Sequence, residues 1–322
     1  MAHQILTVSQ MKCFRSCQRK HHYRYDLLYR PVSTSEALYF GTATHAGLET
    51  WWNTRDLDAA LAAVTPSDGD PYQAVRLQEM LRGYDALWGG GDLRCRAVER
   101  QFAAPLTLGK QISRTFDLGG KIDVVVADSA MKLWIVEHKT TSEDISLGSS
   151  YWRRLALDAQ VSTYFRGARA CGYDVSGCIY DVLKKPTIRP HQATPLASLK
   201  YTKAGALYSG QRSVDETPEE FRFRLREDIA VHPDKYYARG EVVRLAADED
   251  DAAQDTWDTA KQIIEARRLE RYPRNPEACS QWGKICEYFD VCCRVASLDD
   301  ERLFRQAETA HEELTQGNEV AK

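Results

Sequence analysis

Two apolar strands that each run into charge constrain this chain more than any other feature. Gly120-Lys121-Ile122-Asp123-Val124-Val125-Val126 is followed by a turn, Asp128-Ser129-Ala130, and then by Leu133-Trp134-Ile135-Val136-Glu137-His138-Lys139. Strand side chains alternate faces, so Glu137 and Lys139 point the same way. A hairpin through the turn brings Asp123 beside them. Charges at the end of such apolar runs are costly unless they are paired or bound to a metal. Oxygen ligands of this kind hold a hard cation such as Mg2+ or Mn2+. Such a cation activates water and neutralises charge on a phosphodiester, and a lysine beside it can orient that water or stabilise an oxyanion. The plainer alternative is an exposed hairpin on which Lys139 simply pairs with Glu137.

The rest of the chain provides the core for such a site. With 322 residues and 43% hydrophobic content it can build one large domain or two modest ones. No stretch of about 18 apolar residues predicts a membrane span. Met1-Ala2-His3-Gln4 lacks the features of a signal peptide, so a cytoplasmic protein is expected. A net charge of -3 counts against broad coating of nucleic acid but permits a local basic cleft. Lys12, Arg15, Arg19, Lys20, Arg24 and Arg30, interleaved with Tyr23, Tyr25 and Tyr29, form one candidate. Cations meet phosphates and rings meet bases; the alternative is a solvated helix face with aromatic core contacts.

Periodicity predicts a helix over 8–24 capped by Ser9, with Met11, Phe14 and Cys17 on one face. A second helix over 35–53 carries the stripe Leu38, Gly41, His45, Leu48 and Trp52. A turn at 67–71 leads to a third helix with Leu77, Leu81, Tyr84 and Trp88 on one side, ended by Gly89-Gly90-Gly91. Strands follow at 97–106, 113–118, 120–126 and 132–137, with Gly119-Gly120 as a bulge or close approach. A long helix is expected over 153–171 with Leu157, Val161, Tyr164 and Ala168 on its buried face, then a strand at 175–183. Beyond it come a Pro- and Gly-rich excursion over 186–216, a helix from Thr217 to about 230, an edge strand over 237–246, a helix over 252–270, and a charged end that reads as a frayed helix or tail. Strands, a helix and a further strand imply a mixed sheet with helices packed on it.

In order, these residues resemble the motifs of the PD-(D/E)XK nucleases, specifically the RecB-like branch, over most of residues 5–295. Gly41-Thr42-Ala43-Thr44-His45 is similar to the branch's G-x-x-x-H helix, whose histidine can join the metal site. Glu99 resembles the acidic residue before the first strand. Asp123 matches the motif aspartate, with Ile122 in place of the proline that often precedes it. Glu137-His138-Lys139 matches the (D/E)-X-K element, and Gln160 and Tyr164 match a Q-x-x-x-Y helix that supports the site and contacts DNA. The resemblance implies a restriction-endonuclease-like α/β core: a central mixed sheet flanked by helices. It implies hydrolysis of DNA, most often from ends. Asp123, Glu137 and Lys139 would be catalytic with Gln160 and Tyr164. His45, Asp123, Glu137 and the backbone carbonyl of His138 would hold Mg2+ or Mn2+, and Arg19, Lys20, Tyr23, Arg24, Gln160 and Tyr164 would meet DNA.

Nine cysteines remain. Cys13, Cys95, Cys171, Cys178 and Cys293 read as buried apolar residues or strays. Cys279, Cys286 and Cys292 are spaced C-x6-C-x5-C, and thiolates suit zinc or an iron–sulfur cluster. Three ligands are one short of four. The resemblance supplies the fourth: in iron–sulfur RecB-like nucleases, which include CRISPR-associated adaptation nucleases and AddB-type subunits, an N-terminal cysteine joins three C-terminal ones. Cys17 in Ser16-Cys17-Gln18-Arg19-Lys20 matches it, with Cys13 and Cys293 as alternates. A [4Fe–4S] cluster is favoured over zinc because the short C-x2-4-C knuckles usual for zinc are missing. The expected organisation is one nuclease domain over 1–298, followed by a polar tail over 299–322. Within it lie a helical part at about 35–91, a catalytic core at about 97–185, an excursion at about 186–270 and the cysteine clamp at 273–294. A noncatalytic iron–sulfur DNA-binding protein of the same fold is the alternative; an intact Asp123/Glu137/Lys139 set argues against it.

Overall fold

The computed structural model describes residues 3–33, 36–64, 70–155, 157–281 and 283–314, with only the backbone for 36–38. The N-terminal segment forms β1 (Gln4–Leu6), α1 (Val8–Ser16), α2 (Gln18–His21), a π-helical turn (His22–Asp26) and β2 (Tyr29–Pro31). The single helix expected over 8–24 is therefore broken. The Thr7 hydroxyl, not Ser9, caps α1 by accepting from the Gln10 amide at 3.2 Å. Cys17 leaves the helix in extended backbone, and the freed Ser16 carbonyl takes a hydrogen bond from Asn275 Nδ2 at 2.8 Å. A long-range partner thus ends a helix that local periodicity would continue.

Next come α3 (Glu36–Thr54), α4 (Leu57–Ala63) and α5 (Pro71–Trp88). Asp70 caps α5 through the Tyr72 amide, with Pro71 in the first turn, where its missing N–H costs nothing. Most of the turn expected at 67–71 lies outside the described residues. The sheet strands are β3 (Arg94–Leu108), β4 (Gln111–Ala127), β5 (Leu133–Thr141), β6 (Val175–Lys184) and β7 (Tyr237–Val242). Asp128 shapes the turn between β4 and β5, accepting from the amides of Ala130 and Lys132 at 2.9 Å each. The two strands expected at 113–118 and 120–126 are one continuous β4. Gly119 and Gly120 do not bulge it, but they allow close approach: a Cβ on Gly119 would meet Ile5 Cγ2 at 2.3 Å, and one on Gly120 would meet the Phe102 ring at 3.0 Å.

The helix expected over 153–171 is also two, α6 (Ser150–Leu155) and α7 (Ala159–Ala170). The Asp158 carboxylate starts α7 by accepting from the Gln160 amide. The break turns Leu157 outward, 90% exposed rather than buried. After β6 follow α8 (Pro218–Val231), opened by a Thr217/Glu220 capping box, α9 (Pro233–Tyr236), and, beyond β7, α10 (Ala246–Leu269). The cysteine segment holds a small hairpin of β8 (Ser280–Gln281) and β9 (Lys284–Ile285) and a helical turn, α11 (Phe289–Cys292). The end expected to be frayed is anchored: β10 (Phe304–Gln306) pairs antiparallel with β2. Residues 315–322 lie outside the described set.

The mixed sheet has the order β1-β4-β5-β6-β7, and β3 also pairs with β4. β5 and β6 are parallel, as are β1 and β4; the other pairs are antiparallel. α3, α4, α5 and α8 pack on one face around Trp51, Trp52 and Tyr84. α6 and α7 cover the other around Val125, Ile135 and Val182. α1 and α10 close one end over Leu6, Phe116 and Ile263. Because β3 occupies one edge of β4 along its length, β1 and β5 must share the other. β1 pairs there only as far as Leu118, and β5 begins only at Val124. The sheet therefore forks at residues 119–123 of β4.

Candidate active site

Asp123 stands at the fork. Val98 pairs with Val124 and Arg100 with Ile122, which sets Glu99 of β3 opposite Asp123. Val124 pairs with Val136, which sets Glu137 of β5 opposite Asp123 on its other side. Three acids thus lie in one row across three neighbouring strands, whose spacing is about 4.8 Å. The ladder does not continue through them. Asp123 Oδ2 instead accepts the His138 amide at 2.9 Å, so a side chain takes the place of a backbone carbonyl and holds the fork open. Glu99 has a backbone φ of 49°, a left-handed conformation that costs a residue other than glycine on the order of 1 kcal/mol.

α3 contributes His45. One turn earlier, a Cβ on Gly41 would meet Thr140 Oγ1 at 3.2 Å, so the helix lies close over the end of β5. His45 Nδ1 comes to 3.7 Å from Asp123 Oδ2. Ligand atoms of His45, Glu99 and Asp123 all lie within 4.8 Å of one another. Burial raises the Asp123 and Glu137 carboxyls, and pushes Glu99 up to about 7 despite its ion pair with Lys121. Burial also lowers His45 to about 4, which leaves its ring neutral and able to donate a lone pair. Oxygen Oε2 of Glu137 is buried without a hydrogen-bond partner. Buried acids, an orphaned carboxylate oxygen and a neutral imidazole are a donor set that fits a hard divalent cation.

On the same face, Lys139 Nζ donates to Glu137 Oε1 and to Gln160 Oε1, each at 2.7 Å. Gln160 Nε2 donates to Glu137 Oε1 at 2.6 Å and to the Tyr164 hydroxyl at 2.9 Å. Burial opposes the charge on Lys139, but Glu137 outweighs it and raises the ammonium pKa. The Asp158 cap of α7 thus also fixes where Gln160 stands, and Lys12 of α1 pairs with that carboxylate at 2.9 Å.

The opposite face shows what sequence reasoning missed. The His138 ring points there, its Nδ1 3.3 Å from Asp181 Oδ2. Arg239 grips Asp181 through Nε at 3.1 Å and Nη2 at 3.0 Å, and the Tyr84 hydroxyl donates to it. Burial works against ionisation, but Arg239 and His138 hold the Asp181 carboxyl well below the usual range. His138 also meets the His45 ring edge-on at 6.1 Å. One residue therefore joins both faces: its amide holds Asp123, and its side chain is anchored in a buried ion network. Glu99, expected before the first strand, lies within β3 and beside Asp123. Apart from the family resemblance, its sequence signal was an acid in an otherwise extended run.

The basic N-terminal cluster is largely engaged in structure. Lys20 pairs with Glu287 at 3.0 Å, Arg19 Nε donates to the Tyr272 carbonyl at 2.7 Å, and Arg24 lies over the Tyr25 ring. Tyr23 packs against Tyr288 with centroids 5.6 Å apart. The same contacts bring the chain ends together. The Arg19 amide donates to the Pro273 carbonyl, and the Cys286 amide to the Cys279 carbonyl. Burial raises the Cys286 and Cys292 thiols, and Cys17 is near enough to add to both, as is Cys279 to Cys292.

No curated protein matches the chain in sequence. Among solved structures it is similar to SSO0001, at 12% identity and a TM-score of 0.33 over 81% of this chain and 78% of that one. It is also similar to a candidate exonuclease from Eubacterium rectale, at 11% identity and a TM-score of 0.44 over 98% of this chain and 94% of that one. A family model described as the PD-(D/E)XK nuclease superfamily matches residues 5–293. Matched over nearly its whole length, the chain belongs to the PD-(D/E)XK nuclease superfamily.

Proposed function

We propose that the protein is a Mg2+- or Mn2+-dependent deoxyribonuclease of the RecB-like branch that processes DNA ends in the cytoplasm. The observation that carries the reading is the row Glu99–Asp123–Glu137 at the sheet fork, with His45 above it and Lys139 beside it. His45, Asp123, Glu137 and the His138 carbonyl would hold the cation, and Glu99 joins that set. The bound cation would supply a Lewis acid and an activated water. Lys139, steered by Glu137 and Gln160, stands where it can meet the oxygen that gains charge during hydrolysis. Tyr164 positions Gln160 from one helical turn away. Arg19, Lys20, Tyr23, Arg24, Gln160 and Tyr164 are the proposed contacts to DNA.

We further propose a [4Fe–4S] cluster on Cys17, Cys279, Cys286 and Cys292. Their convergence at the joined chain ends supports it. The sequence spacing favours the cluster over zinc, because the short C-x2-4-C knuckles usual for zinc are missing. Digestion of end-labelled linear, circular and single-stranded DNA by anaerobically purified protein tests the reading. Loss of linear but not circular DNA, only with a divalent cation, is expected. Equal attack on circles would make it an endonuclease, and no attack on any substrate would leave a binding protein.

A further inference from the structure

Residues 186–216, between β6 and α8, take no part in the site described above, yet they are neither apolar filler nor a random surface. From Pro186 to Val214 the chain carries Arg189, Lys200, Lys203 and Arg212 and not one Asp or Glu. At the chain's overall frequency of acids, such a stretch would hold about four. The segment is folded. The Thr194 amide donates to the Arg212 carbonyl at 2.8 Å, the Tyr208 amide to the Lys200 carbonyl at 3.1 Å, and Tyr201 bridges to Leu207. This hairpin holds two rings out in solvent, Tyr201 at 57% and Tyr208 at 53% exposure. Its root is pinned, because Glu216 accepts the His191 amide at 2.7 Å and is gripped by Arg224.

A cavity of about 920 Å3 opens at that root, lined by Arg76, Lys185, Arg189, His191 and Ser142. The two acids on its wall are already engaged by backbone amides, Asp70 by Tyr72 and Asp215 by Ala193. Ser142 follows directly on β5, and the Lys185 amide donates to the Thr141 carbonyl at 2.7 Å. Lys139 lies only three residues back along that strand, about 10 Å. Cations therefore lead from the end of the catalytic strand to a hairpin with exposed rings.

We propose that residues 186–214 are an arm that binds single-stranded DNA beyond the cutting site. Arg76, Lys185 and Arg189 meet phosphates in the root cavity, Lys200 and Lys203, both exposed, meet them along the hairpin, and Tyr201 and Tyr208 stack on unpaired bases. Exposed rings beside cations are what an unpaired strand offers partners for, since a duplex hides its base faces. The inference rests on the nuclease reading for the identity of the strand, but its test does not need cleavage.

The test is fluorescence anisotropy with a labelled oligothymidylate of about 20 nucleotides and a blunt duplex, in EDTA so that no chain is cut. Wild type is compared with Tyr201→Ala/Tyr208→Ala and with Lys200→Ser/Lys203→Ser, after thermal melts confirm equal folding. The tyrosine pair should weaken oligonucleotide binding about tenfold or more with an unchanged salt slope. The lysine pair should flatten the slope of log affinity against log salt by about 1.4. Duplex binding should not move. Variants that bind the oligonucleotide like wild type, or a wild type that does not bind it, would overturn the arm. If wild type cuts no DNA with any cation while the variants still lose binding, the arm stands and the nuclease reading falls.

Discussion

Three carboxylates and a lysine within one fork need a partner of opposite charge, and each residue's part can be separated by substitution. Asp123→Ala, Glu137→Ala and Lys139→Ala should each reduce DNA cleavage by at least about a hundredfold, the scale of losing one transition-state contact. Asp123→Ala should also cost about 1–3 kcal/mol of stability, because it strips the His138 amide of its buried acceptor. Lys139→Ala should also destabilise the metal-free protein, because it leaves the buried Glu137 carboxylate without its cation. A variant that cuts at the wild-type rate removes its residue from the mechanism. His45 is a sharper case, because a histidine on an apolar stripe is usually a core residue. His45→Ala should raise the Mn2+ concentration needed for half-maximal rate about tenfold while the melting temperature moves little. A lower melting temperature with unchanged metal dependence would return His45 to the core. The motif residues were legible in the sequence because strand alternation and a short turn are local facts. Glu99 was not placed, because its position opposite Asp123 depends on the register of a hairpin that turns at Gly109, where the sequence shows one glycine among many.

Elements matter here through how they end. α7 begins at Asp158, and that cap sets the height of Gln160 over Glu137. Asp158→Ala should cost about 1 kcal/mol in stability and, if the cap positions Gln160, should lower cleavage as much as Gln160→Ala does, with no further loss in the double variant. The sequence hid this break because the apolar pattern runs on through Leu157, and nothing local shows that the residue faces outward. Likewise the buried network of His138, Asp181, Arg239 and Tyr84 joins four separate elements, so periodicity within any one of them shows only a polar residue among apolar ones. At the root of the excursion, Arg224 holds the Glu216 carboxyl at about 2, below its ordinary 4.5. A depressed folded-state pKa contributes stability that is complete above about 4.5 and lost as pH falls toward 2. Glu216→Gln should therefore destabilise by about 2 kcal/mol near pH 6, and the gap from wild type should close toward pH 2 in chemical-denaturation curves. A gap that stays constant with pH would show that the ion pair adds nothing beyond packing.

The whole molecule closes on itself at its ends. β2 pairs with β10, Tyr288 donates to the Tyr29 carbonyl at 2.7 Å, and Asn275 reaches the Ser16 carbonyl. A cluster shared by Cys17 and the C-terminal cysteines would close a loop of about 260 residues, the kind of cross-link that removes much unfolded-state entropy. Protein purified without oxygen should be brown, with about four irons per chain. Replacing Cys17, Cys279, Cys286 or Cys292 by serine should bleach and destabilise it, whereas replacing Cys95, Cys171 or Cys178 should leave the colour unchanged. Zinc in place of iron would keep the clamp and discard the cluster, and full iron in the Cys17 variant would discard the clamp. The fork itself is tested most directly by the initial rate of DNA cleavage for wild type and Glu137→Gln, with Mn2+ and with excess chelator. Wild type should cut only with the cation, and the variant should lose about a thousandfold while melting within a few degrees of wild type. A wild type that cuts equally well in chelator, or a variant that keeps the wild-type rate, would contradict the account.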